Sequence, residues 1–242
     1  MISERAVPPE NSFYSALSRS ASDSNCAIPA SGAIAANQPA AVWHMTGKMI
    51  LDYALGSAAL ILFAPLLLAI ALAVKLDSPG PVFFRQPRRG LHSRPFDLFK
   101  FRSMHLHPAD LSVLNQTFRD DPRVTRVGRW LRRFSLDELP QLFNVLRGEM
   151  SLVGPRPHAL NTRVEGELLP ALSAAYMRRY SVKPGITGWA QVNGARGALV
   201  RREDLRKRII YDLLYIQNRS VAFDLKILAL TATREIVSKS AF

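Results

Sequence analysis

Two adjacent carboxylates, Asp137 and Glu138, stand in the run Ser135-Leu136-Asp137-Glu138-Leu139-Pro140-Gln141. Carboxylates can serve as acids, bases, nucleophiles or ligands of a hard cation. The same run suits a helix start for structural reasons alone. Asp137 is a fitting N-cap, Ser135 and Glu138 a fitting capping box, and Pro140 is tolerated in a first turn. Cations stand nearby in pattern. Lys100 and Arg102 alternate with Phe99 and Phe101, so on a strand both point to one face, about 7 Å apart. Arg156 lies between Pro155 and Pro157, a stiff setting for a guanidinium, and Lys183 sits in the tight stretch Val182-Lys183-Pro184-Gly185-Ile186-Thr187-Gly188. Fixed guanidinium groups match phosphate oxygens through paired hydrogen bonds. Singly, each has a plainer reading: a solvated strand cation, a turn, a loop marker.

Elements that would position these residues can be read from the apolar pattern. Pro81 to Gln86 and Pro95 to Met104 are aromatic-rich and extended, separated by a Pro/Arg/Gly/His/Ser loop, which predicts a β-hairpin. Val127, Trp130, Leu131 and Phe134 recur at helical spacing after Thr125, and Arg126, Arg129, Arg132 and Arg133 fall on other faces as a solvated surface. Leu139 to Arg147 predicts a helix stopped by Gly148, and two further helices fit 203–217 and 222–236. These amphipathic helices suit either a core or a membrane interface. The expected fold is α+β, mostly helical.

The segment Tyr53 to Val74 contains 22 residues without a charge. As a helix it is about 33 Å long, the thickness of a bilayer's hydrocarbon core. A helix buried on all sides in a soluble domain would need a larger domain than this chain supplies. Lys48 and Lys75 flank it as snorkelling residues would. Pro65, near its middle, removes a backbone hydrogen bond and predicts a break, so the helix either spans once or turns back to the face it entered. Residues 1–52 carry three Lys/Arg against four Asp/Glu, and residues 53–242 carry 29 against 15, which puts the C-terminal part in the cytoplasm. Residues 1–42 are rich in Ser, Ala, Pro and Asn and read as a disordered tail, with Glu4 and Glu10 arguing against a signal peptide. The expected organisation is therefore a tail at 1–42, a membrane-inserted helix at 43–76 and a catalytic domain at 77–242.

A net charge of +13 in 242 residues calls for a polyanionic partner. Nucleic acid is disfavoured, because no helix-turn-helix, RNP, KH or zinc-finger pattern occurs and the basic residues are dispersed among helices. Lone Cys26 excludes an intramolecular disulfide and a thiolate zinc cluster.

Lys100-Phe101-Arg102-Ser103-Met104, the Asp137-Glu138 run, Val153-Gly154-Pro155-Arg156-Pro157 and Lys183-Pro184-Gly185-Ile186-Thr187-Gly188 occur in the order seen in the bacterial sugar transferases, the monotopic polyprenyl-phosphate phosphoglycosyltransferases. The resemblance covers about residues 48–236, and Trp189-Ala190-Gln191-Val192-Asn193-Gly194 is similar to members that begin exopolysaccharide synthesis with a hexose-1-phosphate. Ser103 and Ala64 depart from the more common threonine and serine. The resemblance implies a re-entrant membrane helix broken at Pro65, ahead of a small cytoplasmic domain on the bacterial inner membrane. Larger members carry further transmembrane helices ahead of this unit, and none is expected here. It also implies a UDP-sugar donor, glucose or galactose first, and a polyprenyl (undecaprenyl) phosphate acceptor, with downstream glycosyltransferases as partners. Asp137 would form the phosphosugar-aspartyl intermediate, Glu138 would associate with Mg²⁺, and Lys100, Arg102, Arg156 and Lys183 would meet phosphate. The alternatives are a membrane-tethered basic binding protein and an inactive scaffold of the same family.

Overall fold

The computed structural model describes residues 39–105, 121–160 and 162–237. The tail assigned to 1–42 lies, up to residue 38, outside the described residues, as does Cys26. Helix α1 runs from Pro39 to Asp77, 39 residues with Pro65 inside. From Thr46 it is apolar enough to cross a membrane, and its most apolar 18-residue window has a mean hydropathy of 2.6 with 11% of it buried. Ile61, Leu62 and Leu68 are each more than 70% exposed. A soluble core helix would cover such side chains, so this one must bury them in something other than the protein.

At Pro65, where the sequence predicts a break, the backbone stays helical. Proline deprives the Ile61 carbonyl of its helical donor, and the Leu-, Ile- and Ala-rich turns on both sides keep the remaining hydrogen bonds. Both arms of α1 rest on the rest of the chain. Ala59 and Leu60 pack on a core of Leu98, Leu142, Val145, Met150 and Val153. Leu67, Ile70, Ala71 and Val74 pack with Phe101 and Leu131. Lys48 does not snorkel. Its ammonium donates to the Val153 carbonyl at 3.0 Å and to Asp224 Oδ2 at 2.6 Å. Asp52 Oδ1 accepts from Ser151 Oγ and the Leu152 amide, both at 3.0 Å. A charge so close to buried acceptors gains more from pairing than from reaching water.

Strands β1 (Phe83–Arg89) and β2 (Pro95–Phe101) form an antiparallel hairpin in the register Phe84 to Lys100 and Arg88 to Phe96. Helix α2 (Arg126–Arg133) is capped by Thr125, which accepts from the Gly128 amide. Of its expected apolar stripe, Leu131 is buried, whereas Trp130 and Phe134 stay exposed and stack at 5.4 Å between ring centroids. The helix expected over 139–147 forms as α3 (Gln141–Leu146), and a separate 3-10 turn at Leu136–Glu138 precedes it. Beyond it, β3 (Ser151–Val153) pairs in parallel with β6 (Gly185–Thr187), and β4 (Arg163–Val164) pairs with β5 (Glu167–Leu168). Short α4 (Leu169–Leu172), a 3-10 stretch at Ala174–Ser181 and α5 (Trp189–Val192) lead to α6 (Arg202–Asn218) and α7 (Val221–Val237). The architecture is a mostly helical α+β fold with small sheets and one long apolar helix.

Candidate active site

The Asp137-Glu138 pair sits on the 3-10 turn, entered through Ser135 at φ 54°. Neither reading of the run as a helix cap describes what forms. Ser135 makes no side-chain cap hydrogen bond. Asp137 lies inside the turn, 7% exposed, with its carboxylate 3.7 Å from Lys100 Nζ. The left-handed residue before it turns the backbone sharply, so the two carboxylates leave the chain as neighbours facing the hairpin.

Their surroundings differ. Glu138 Oε1 accepts from Lys100 Nζ at 2.8 Å and from Arg156 Nη2, and Oε2 accepts from Arg156 Nη1 at 2.9 Å. Burial opposes its ionisation, but Arg156 and Lys100 outweigh that and hold the carboxyl well below the usual carboxylate range. For Asp137 burial wins and the carboxyl titrates above its ordinary value, against the pull of Lys100, with Glu138 pushing it further up and Arg132 and Arg156 drawing it down. Environments that drive two adjacent carboxyls apart assign them different tasks.

Three buried devices hold this geometry. Asn144, fully buried, accepts from the Phe99 amide at 3.0 Å and donates to the Asp97 carbonyl and Glu149, both at 2.7 Å, which locks β2 and therefore Lys100 against α3. Gly154 and Gly185 allow the Pro-Arg-Pro loop to lie directly on the 183–188 segment. A Cβ on Gly185 would stand 2.0 Å from the Gly154 nitrogen. Behind the loop, Arg179 donates from Nη2 to the Arg156 carbonyl at 2.8 Å and from Nε to Asp212 at 2.7 Å. His158 lies between Arg179 and Arg208, each 3.2 Å from one of its ring nitrogens. Burial, then Arg179, Arg208, Arg88 and Arg156, keep its imidazole well below its usual pKa and neutral.

Of the six residues singled out in the sequence, Asp137, Glu138, Lys100 and Arg156 meet in one place. Arg102 does not. It is 2% exposed, and its Nη2 donates to the carbonyls of Val74 and Ser78 at 3.1 and 2.6 Å, at the end of α1. Arg102 lies just past the last paired residue of β2, where the two-residue alternation that would have aimed it with Lys100 no longer applies. Lys183 also stands apart: its ammonium is 3.6 Å from the position a Cβ on Gly148 would take, beside Tyr53 of α1. Sequence reasoning overlooked Arg132 and Arg88. Arg132 was grouped with a solvated helix face, yet its charge acts on Asp137. Arg88 falls in the Pro/Arg/Gly/His/Ser stretch that the sequence predicts as a loop. An edge strand tolerates proline, and β1 runs on to Arg89.

Among the described residues no group of three or more His, Cys, Asp and Glu gathers to form a metal cage of protein ligands. The two adjacent carboxylates, each with some side-chain exposure, fit a hard cation that takes its remaining ligands from substrate phosphates and water.

The described residues thus combine one long, exposed apolar helix with an acid pair ringed by cations. The chain belongs to the bacterial sugar transferase family, whose pattern it matches over residues 43–238. It is 55% identical over 214 residues to the undecaprenyl-phosphate glucose phosphotransferase of Komagataeibacter xylinus, covering 88% of this chain and 40% of that protein. A UDP-glucose:undecaprenyl-phosphate glucose-1-phosphate transferase of Xanthomonas campestris pv. campestris is 50% identical over 83% of this chain and 41% of its own length. The exopolysaccharide production protein PSS of Rhizobium leguminosarum bv. phaseoli is 45% identical over 81% of this chain and 98% of its own length. The chain thus spans about two fifths of the first two proteins.

Proposed function

We propose that this chain transfers glucose-1-phosphate from UDP-glucose to undecaprenyl phosphate, the first step of exopolysaccharide synthesis, with Asp137 as nucleophile. The observation that carries the reading is the asymmetry of the acid pair. Glu138 spends its oxygens on Arg156 and Lys100, whereas Asp137 is a buried carboxylate with less stabilisation of its charge. A carboxylate held that way is the better nucleophile once ionised. Asp137 Oδ forms a bond to the β-phosphorus, the bond from that phosphorus to the bridging oxygen breaks, and the electron pair leaves on UMP. The acceptor's phosphate oxygen then attacks the same phosphorus and returns the Asp137 carboxylate. Lys100, Arg132 and Arg156 offset charge on the transferred phosphoryl group. Mg²⁺, held by Glu138 with substrate phosphates, would add further neutralisation of that charge. The diphosphate supplies the counter-charge that lets Arg156 and Lys100 loosen from Glu138.

Both arms of α1 rest on one catalytic unit, which supports a helix that enters and leaves the bacterial inner membrane on its cytoplasmic face. The glucose assignment rests on the relatives' names. The decisive experiment incubates the purified chain in lipid with UDP-glucose alone. UMP is expected at one equivalent per enzyme, together with a hexose-phosphate adduct on the Asp137 peptide by intact-mass and peptide mass spectrometry, and ping-pong kinetics with both substrates. UMP release only when acceptor is also present would establish direct transfer and remove Asp137 from the covalent role. A panel of UDP-sugars checks the sugar.

A further inference from the structure

Four arginines, Arg88, Arg156, Arg179 and Arg208, surround the neutral His158, and three carboxylates, Glu138, Asp212 and Asp204, act on them. The cluster therefore holds more positive charge than it balances. Three of the four have structural partners that account for them: Arg156 on Glu138, Arg179 on Asp212 and the Arg156 carbonyl, Arg208 on the Ala195 and Gly197 carbonyls. Arg88 is different. Its Nη1 donates to the Pro157 carbonyl at 3.1 Å and its Nη2 to Gln86 Oε1, while its Nε is buried with no partner. Register places Arg88 and Lys100 on the same face of the hairpin, with Gln86 and Leu98 between them, and four residues of β1 separate Arg88 from the partner of Lys100, about 13 Å along the strand. Lys100 reaches both carboxylates and Arg156 reaches Glu138, whereas Arg88 reaches the Pro157 carbonyl, next in the chain to Arg156. Arg88 thus lies one step further from the nucleophile along the same cationic track.

We propose that Arg88 binds the α-phosphate of the nucleotide sugar, the leaving side of the donor. This rests on the reading that Asp137 attacks the β-phosphorus. Attack requires the leaving oxygen to lie opposite Asp137, and the charge that develops on UMP as the bridging bond breaks then falls beyond Arg156, where Arg88 stands. The acceptor carries a single phosphate and has nothing to place there, so Arg88 separates donor from acceptor recognition. Burial and the neighbouring Arg156 lower its pKa to about 10, a cost that the anionic diphosphate, and the charge growing on UMP, relieve.

The test uses Arg88→Gln in the full chain. KM for UDP-glucose and the inhibition constant of UMP should each rise about 10- to 100-fold, the worth of one buried charge-assisted hydrogen bond. KM for undecaprenyl phosphate, and the rate at which preformed intermediate is discharged by it, should stay at wild-type values. Arg88→Lys should recover part of the UMP affinity, and it carries the same donor-against-acceptor comparison if the Gln variant unfolds. Equal loss in both half-reactions would overturn the proposal and leave Arg88 as a support for the Pro157 carbonyl, and so would unchanged inhibition by UMP. Failure of the underlying reading shows separately, as absence of the aspartyl adduct in the wild-type protein.

Discussion

At Asp137 and Glu138 the same functional group meets opposite fates one residue apart. The Asp137 carboxyl titrates above its unfolded value, so its ionisation costs stability from about pH 4 upward, a cost complete once pH exceeds the folded pKa. Asp137→Asn should therefore abolish transfer while raising the melting temperature at pH 7.5. That gain should vanish below about pH 4, where the wild-type carboxyl is protonated in both states. Thermal scans at both pH values, beside a UMP-release assay, check this. A variant melting lower at pH 7.5 would mean that the charge of Asp137 holds the fold together. Glu138 has the opposite sign. Its depressed folded pKa contributes stability that is complete above about pH 4.3 and is lost as pH falls through the folded value. Glu138→Gln should lower the melting temperature at neutral pH and raise the Mg²⁺ concentration needed for half-maximal rate, measured by metal titration. Unchanged activity at limiting Mg²⁺ would remove Glu138 from the metal site.

Among the elements, the seam between the Pro-Arg-Pro loop and the 183–188 segment leaves no room for a methyl group. Gly185→Ala would push a Cβ to 2.0 Å from a backbone nitrogen that cannot retreat without shifting β3. It should destabilise by about 3 kcal/mol, at the upper end of overpacking costs, and lower kcat through displaced Arg156. Denaturant unfolding and initial rates report the two effects. Arg102 belongs to a different joint. Its hydrogen bonds to the Val74 and Ser78 carbonyls tie the end of α1 to β2, so Arg102→Gln should cost about 2 kcal/mol of stability. KM for UDP-glucose should not change in the folded fraction. A large rise in that KM with unchanged stability would return Arg102 to the phosphate site.

At the scale of the whole molecule, α1 exposes its apolar side chains and also packs into the unit that carries Asp137 and Glu138. Lys48 and Asp52 on one arm bond to β3 and α7, and Val74 on the other bonds to Arg102. These ties support the proposal that α1 bends at Pro65 and keeps both ends on one side of the bilayer. Single cysteines at Ser12 and Ser240, in a variant lacking Cys26, should both be labelled from the cytoplasmic side. Labelling of the Ser12 site from the periplasm alone would establish a spanning helix.

The long apolar helix, the hairpin, the helices after Thr125 and at 202–218 and 221–237, and the candidate acid pair are all legible along the chain. Periodicity, charge-free length and capping chemistry are local properties, carried by residues within a few turns of one another. The four motifs likewise carry the family resemblance in linear order. What residue spacing leaves open is which cations share a site, because that depends on where strands end and which way their last side chains point. Arg102 and Lys100 are two residues apart at the same end of β2, yet one reaches the end of α1 and the other the acid pair. Arg88 and Arg156 are 68 positions apart and meet beside Glu138, since the bridge from Arg88 to Ala159 joins the hairpin to the loop. Likewise Lys48 resembles an interfacial anchor in sequence, and becomes the partner of Asp224 because folding brings a buried carboxylate, 176 residues away, within 2.6 Å. Pairings at that separation follow from packing, and packing is where the difference between Asp137 and Glu138 originates.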